Sequence, residues 1–189
     1  MRIISGLYGG RTIDTVRDHS VRPATGRVRE TVFNILSHRM DLSGIRVLDL
    51  FAGSGSLGLE ALSREAARAV FVENSPSAVQ YLRENVRSLG CEGEVEIVAM
   101  DSVVFLTQEQ GEYDLVFADP PYGYERTKDL PGLIFSRKLV RQHGFLVIEH
   151  SPDCEFSDTS AYRVGPERHF GRTRVTFFRG ISNNPEREP

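Results

Sequence analysis

The stretch Ile45-Arg46-Val47-Leu48-Asp49-Leu50-Phe51-Ala52-Gly53-Ser54-Gly55-Ser56-Leu57-Gly58-Leu59-Glu60-Ala61-Leu62-Ser63-Arg64 decides the fold. Its opening run, Ile45 to Leu50, reads as a buried strand, and Leu57, Leu59, Ala61 and Leu62 among polar residues read as a helix from Ser56 to Arg64. Between them Gly53, Gly55 and Gly58 form a full G-x-G-x-x-G, the mark of a turn where backbone approaches a nucleotide-type ligand closely.

The same alternation continues on either side. Ala69–Glu73, Glu94–Met100, Tyr113–Ala118 and Gly144–Glu149 read as strands. Helices are expected from Ser75-Pro76 to about Leu89 with Gly90 as the stop, from Ser102 to Gln110, and around Leu133 to Gln142. Thr173–Phe178 reads as a closing strand. Strand–helix alternation implies an α/β fold, a parallel sheet covered on both faces, with ligands at the carboxyl ends of the strands. Upstream, Arg2–Ser5 and Arg11–Val16 alternate across Gly6, Gly9 and Gly10, which suggests an N-terminal hairpin, and Gly26–Met40 carries Val28, Val32, Ile35 and Leu36 on one helical face. The expected organisation is an N-terminal hairpin and helix over 1–44, one domain over 45–180, and a frayed tail over 181–189.

At 189 residues, with 40% apolar and 26% charged side chains, the chain can bury a core and is not a disordered polymer. No apolar run reaches the roughly 18 residues of a membrane span, and the N-terminus lacks a signal-peptide core, so a cytoplasmic protein is expected. Cys91 and Cys154 have no partner pattern for a disulfide or zinc site, and no metal is expected. The net charge of −3 hides an uneven distribution: eight arginines face four acids in residues 1–46, while four arginines face thirteen acids in residues 47–120. An arginine-rich head suits forked phosphate contacts and stacking.

Glu73, twenty residues past Gly53, would suit a dinucleotide or any other nucleoside by gripping ribose hydroxyls. Asp49 separates the two. Placed at the strand end and aimed at the cleft, its carboxylate would repel a pyrophosphate and attract the sulfonium and ammonium of S-adenosylmethionine. Asp101 closes the third strand, placed either to take an adenine amino group or to cap the next helix. Phe51, Ser54, Gly55, Asn74 and Ser102 complete the candidate cofactor set with Asp49, Gly53, Glu73 and Asp101.

After the fourth strand comes Asp119-Pro120-Pro121-Tyr122. The prolines stop any helix and stiffen the turn. An exocyclic amine on a nucleobase is a poor nucleophile because its lone pair is delocalised into the ring. Acceptors from the Asp119 carboxylate and the Pro120 carbonyl would turn that lone pair out of the ring plane and stabilise the charge that develops on nitrogen. Pro121 fixes the turn, and Tyr122 would stack on a base swung out of its helix.

The loop Asp49–Gly58 and the Asp119–Tyr122 turn resemble the class I S-adenosylmethionine-dependent amino-methyltransferases of nucleic acids. Arg2-Ile3-Ile4-Ser5-Gly6, the run Arg22-Pro23-Ala24-Thr25-Gly26-Arg27-Val28-Arg29-Glu30, Phe33-Asn34-Ile35-Leu36 and Leu57–Arg64 narrow the resemblance to bacterial 16S rRNA guanine-N2 methyltransferases over residues 1–180. Gly26 departs from that family, which often has an acid there. The resemblance implies a class I, Rossmann-like three-layer sandwich, its seven-stranded and mostly parallel sheet ending in an antiparallel strand. It implies methyl transfer to guanine 966 of 16S rRNA, in assembled small subunits or late precursors, by a monomer that uses the hairpin to recognise RNA. Arg2, Arg11, Arg22, Arg27, Arg29 and Arg172 are the candidate RNA contacts, Arg172 within a second cluster of Arg168, His169 and Arg174. Adenine N6 of DNA, another rRNA site, a nicotinamide-dependent oxidation and a non-catalytic RNA-binding module remain rivals.

Overall fold

The runs Val47-Leu48, Val70-Phe71-Val72 and Leu115-Val116-Phe117 have no polar face, so each must be covered on both sides. The computed structural model, which describes residues 1–15 and 26–181, meets that demand with a seven-stranded sheet between two layers of helix. In chain order the elements are α1 (Gly26–Ser37), β1 (Arg46–Leu50), α2 (Ser56–Ser63), β2 (Arg68–Glu73), α3 (Pro76–Leu89), β3 (Val95–Ala99), α4 (Ser102–Gln108), β4 (Tyr113–Ala118), α5 (Leu130–Ser136), β5 (Val140–His150), β6 (Tyr162–Phe170) and β7 (Thr173–Gly180). The strand order is β3-β2-β1-β4-β5-β7-β6, with β7 antiparallel to both of its neighbours and the other pairs parallel. From β1 the chain builds first toward β3, then returns to the other side through β4. That reversal opens a crevice above the carboxyl ends of β1 and β4.

Alternation along the strands assigns the faces. Val47, Leu115, Phe117, Phe145 and Val147 pack with α1, α2 and α3, whereas Leu48, Val116, Ala118, Leu146 and Ile148 pack with α4 and α5. Helix α3 begins at Pro76 behind the N-cap Ser75 and ends at Gly90 in the left-handed conformation, both as the sequence indicates.

Three expectations need correction. The helix expected over Leu133–Gln142 is α5, ending at Ser136, because Lys138 turns to φ 58° and Val140 already pairs with Tyr113. The fifth strand therefore starts before Gly144, across an irregularity at which His143 has φ 68°. The resemblance implies a seventh strand, but no reading of the residues located β6. Gly165-Pro166 and its charged residues conceal it, and it forms only as the outer partner of β7.

The N-terminal hairpin forms as a short antiparallel pair around Arg2 and Thr12, the Ile3 N–H donating to the Arg11 carbonyl at 3.0 Å and the Ile13 N–H to the Met1 carbonyl at 2.9 Å. The backbone donors of Ile4 and Ser5 go to Glu60, at 2.7 and 3.2 Å, and those of Leu7 and Tyr8 go to the carbonyl and hydroxyl oxygens of Ser63. With Ile3 and Ile13 fully buried in the α1–α2–α3 cluster, this segment is pressed onto α2 and is no free arm. A Cβ on Gly6 would fall 1.7 Å from the Ser63 carbonyl oxygen, so only glycine fits that contact.

Candidate active site

Parallel pairing sets Leu50 beside Val72 and Ala118, and the chain leaves β1 at Phe51 with φ 55°, a conformation rare outside glycine. The Phe51 N–H donates to the Ser102 hydroxyl at 3.2 Å and the Ala52 N–H to the Val72 carbonyl at 3.1 Å. The loop is thereby tied to β2 and to the start of α4. The Phe51 ring meets Tyr124 edge-on, centroids 5.2 Å apart.

The three glycines do different work. A Cβ on Gly55 would lie 2.4 Å from the Leu82 side chain, and one on Gly58 would lie 2.4 Å from the Phe71 ring and 3.1 Å from the Asp49 carboxylate. Both glycines allow helix and strand to pack closely. Gly53 alone of the three, at φ 55°, faces open space, and its N–H donates to Glu73 at 2.8 Å. The Glu73 carboxylate also accepts from the Ser75 N–H at 2.8 Å, which fixes it at the tip of β2.

Asp49 lies on the α2 side of β1 and is 2% exposed. It was expected as a charged group pointing into the cleft. Instead it accepts the Gly58 N–H at 2.9 Å and locks the loop onto α2. Burial pushes its pKa up to about 8, against the Gly58 N–H, which favours the ion, and with the Glu73 charge, which opposes it. Asp119 leaves β4 on the same face, half-buried, followed by buried Pro120 and exposed Pro121. Burial first, then the charges of Glu149 and Asp49, hold its carboxyl well above the usual range. Glu149, at the end of β5, was not singled out from sequence; burial pushes its pKa up to about 7. The signal was available, since an acid closes the apolar run of β5 just as Asp119 closes that of β4.

Asp101 caps α4, accepting from the Val103 and Val104 N–H groups at 2.9 and 3.0 Å through one carboxylate oxygen. The other oxygen has no partner among the described residues. The capping role is therefore real, and a ligand role remains compatible with it. Ser102 is buried beneath the loop, Ser54 is buried with its carbonyl accepting from Asn85 at 3.0 Å, and Asn74 is exposed beside Glu73. Tyr122 stands 78% exposed at the rim. Tyr124, also missed from sequence, closes the turn by donating its N–H to the Pro121 carbonyl at 3.0 Å. Burial, then the Asp101 charge, raises the Tyr124 phenol.

This donor set fits a cationic nucleoside better than a diphosphate. Among the described residues the charges that act on Asp49 and Asp119 are all carboxylates, and two backbone N–H groups of the loop and helix, those of Gly53 and Gly58, are already given to Glu73 and Asp49. Among the described residues no group of three or more His, Cys, Asp and Glu is arranged to hold a metal ion.

The arginines separate. Arg2, Arg27 and Arg172 are exposed, and Arg11, exposed too, donates to the Ser88 and Leu89 carbonyls at the end of α3. Arg29 was expected to contact RNA; it is 1% exposed, donates to Met1 Sδ and the Arg2 carbonyl, and lies 3.9 Å from Glu60. It holds the N-terminal segment and cannot reach a phosphate. Arg22 lies outside the described residues.

A family model described as Conserved hypothetical protein 95 matches residues 1–179. Ribosomal RNA small subunit methyltransferase D of Haemophilus influenzae is 35% identical over 156 residues, covering 81% of this chain and 80% of that protein. A Bacillus subtilis protein provisionally named an rRNA methyltransferase is 34% identical over 183 residues, covering 95% and 98%. Among solved structures, an Escherichia coli protein provisionally named a methyltransferase superposes with TM-score 0.84 at 30% identity, covering 97% of this chain and 99% of that one. A Thermus thermophilus protein whose name gives no activity superposes with TM-score 0.81 at 33% identity, covering 96% and 99%.

Proposed function

Because the chain belongs to the Conserved hypothetical protein 95 family, we propose that it methylates the exocyclic N2 of a guanine in 16S rRNA, with S-adenosylmethionine as donor. Its fold is that of class I methyltransferases, and two of its relatives carry rRNA methyltransferase names. The observation that carries the reading is the half-buried Asp119 at the switch point, beside the glycine loop and, among the described residues, within reach of the Glu149 and Asp49 carboxyls.

S-adenosylmethionine supplies, when bound, an electrophilic methyl group on a sulfonium and needs no metal. Gly53 gives its backbone room, Glu73 and Asn74 meet ribose hydroxyls, and Asp101 with Ser102 flanks the adenine. Asp49 holds the loop and loses its proton to the solvent as positive charge approaches. Asp119 and the Pro120 carbonyl accept the two N–H bonds of the amine, which raises electron density on nitrogen as it attacks. As nitrogen becomes cationic, the elevated basicity of Asp119 suits it to receive the surplus proton. Tyr122, exposed at the rim, offers a stacking face to the extruded base. Arg2, Arg27 and Arg172, with Arg22, supply phosphate contacts that bring the RNA to this edge.

The test is transfer of tritiated methyl to small subunits from a strain lacking the gene, followed by mass spectrometry of digested rRNA. N2-methylguanine, with position 966 examined first, is the expected product. Label appearing only on DNA, or as N6-methyladenine, would overturn the assignment.

A further inference from the structure

The Asp-Pro-Pro-Tyr turn grips an amine and does not by itself tell guanine from adenine. A second carboxylate stands beside it. Parallel pairing sets Ile148 of β5 next to Ala118 of β4, so the following residues, Glu149 and Asp119, leave the sheet at one level. Their faces also agree: Phe117 and Val147, two residues earlier, are both buried against the α1–α2–α3 side. Neither side chain has a hydrogen-bond partner among the described residues, and the Glu149 charge is felt by Asp119. Two acceptors side by side at a substrate-facing strand edge match a base edge that presents two adjacent donors. Guanine presents its N1–H next to its N2 amine, whereas adenine presents a bare ring nitrogen next to N6.

We propose that Glu149 is a base-specificity residue, its carboxylate accepting the N1–H of the guanine whose N2 amine Asp119 holds. The inference rests on the guanine-N2 function proposed above. An adenine placed with its amine on Asp119 would turn the ring N1 lone pair toward Glu149, and above about pH 7, where burial no longer keeps that carboxyl protonated, no proton would lie between them. Discrimination then comes from leaving two acceptors face to face in a partly dry site.

The test compares small subunits reconstituted with ligated rRNA that carries either guanine or 2-aminopurine at the target. 2-Aminopurine keeps the amine but offers an acceptor at ring N1. The wild-type protein should prefer guanine in kcat/KM by roughly tenfold to a hundredfold. Glu149→Gln, whose amide can donate to that acceptor, should shrink the preference about tenfold or reverse it. Any effect of the missing O6 is common to both proteins and cancels in the ratio of ratios. If Glu149→Gln slows both substrates equally, Glu149 does not read the base and the inference falls while the function stands. If the wild-type protein forms no N2-methylguanine, the function falls and takes this inference with it.

Discussion

Asp49 makes the sharpest claim on the structure, because a buried carboxyl that gives up its proton only at about 8 must leave a trace in stability. In the unfolded chain the same group ionises near about 4. Between those values the folded state holds a proton the unfolded state has lost, so raising the pH favours unfolding. The slope from one such group reaches about 1.4 kcal/mol per pH unit, or about 4 kcal/mol between roughly pH 5 and pH 8. Asn in its place cannot titrate, yet its amide oxygen can still accept the Gly58 N–H now held at 2.9 Å. Urea unfolding of both ligand-free proteins at intervals across that window measures the difference directly. Asp119 and Glu149 add slopes of the same sign to each protein, and the comparison removes most of them. Wild-type stability should fall more steeply, leaving Asp49→Asn the more stable protein at the alkaline end. Parallel curves would mean that Asp49 is ionised throughout, and the account of a loop lock that sheds its proton to the solvent when a cation binds would be wrong.

Asp119→Ala should lower kcat by roughly 10²–10³ while the dissociation constant for S-adenosylhomocysteine barely moves, since the lost acceptor matters as charge develops on nitrogen; calorimetry showing a matching loss of binding would assign Asp119 to the cofactor instead. Gly53→Ala, into open space at φ 55°, should cost about 1 kcal/mol of folding stability yet impair cofactor binding. Gly58→Ala, against Phe71 at 2.4 Å, should cost about 1–3 kcal/mol in the same urea titration. Glu60→Ala should destabilise by about 3–5 kcal/mol, because it strands buried Arg29 and frees the Ile4 and Ser5 N–H groups; Glu60→Gln should cost less. Arg27→Ala should reduce the salt slope of RNA binding by about one, a change that filter binding across a salt series can detect, whereas Arg29→Ala should lower the melting temperature.

Much of the scaffold was legible because its signals are local. Apolar runs without a polar face named β1, β2 and β4, and Ser75-Pro76 with Gly90 bounded α3. What escaped was decided by distant partners. Strand β6 carries charge and a proline that local preference rejects; its residues extend because β7 offers a ladder. The amino-terminal hairpin forms, but its docking on α2 depends on Glu60 and Ser63, which accept the Ile4 and Tyr8 N–H groups from far along the chain. Arg29 looked like its exposed neighbour Arg27, and nothing in its own segment revealed that Glu60 waits 31 residues further on. The site divides in the same way. Asp49, Gly53, Glu73 and Asp119 could be found from strand ends and glycine spacing, but the Asp49 bond to Gly58 and the pairing of Glu149 with Asp119 depend on register across strands.

That register explains why one glycine pattern can serve opposite ligand charges. A G-x-G-x-x-G turn offers helix N–H groups to an anion only if they remain free. Here Asp49 occupies the Gly58 N–H, Glu73 occupies that of Gly53, and Asp119 and Glu149 follow along the same edge. Each acid placed there makes a second anion harder to admit and a cation easier, because a carboxyl raised by burial and like charge gains most when positive charge arrives. The elevated values of Asp49, Asp119 and Glu149 therefore belong to one electrostatic design. Glu149→Gln should lower the pKa of Asp119, since the second largest influence holding it up is the Glu149 charge. The acid limb of kcat/KM should then move to lower pH relative to wild type, and a limb left in place would show that the two carboxyls act independently.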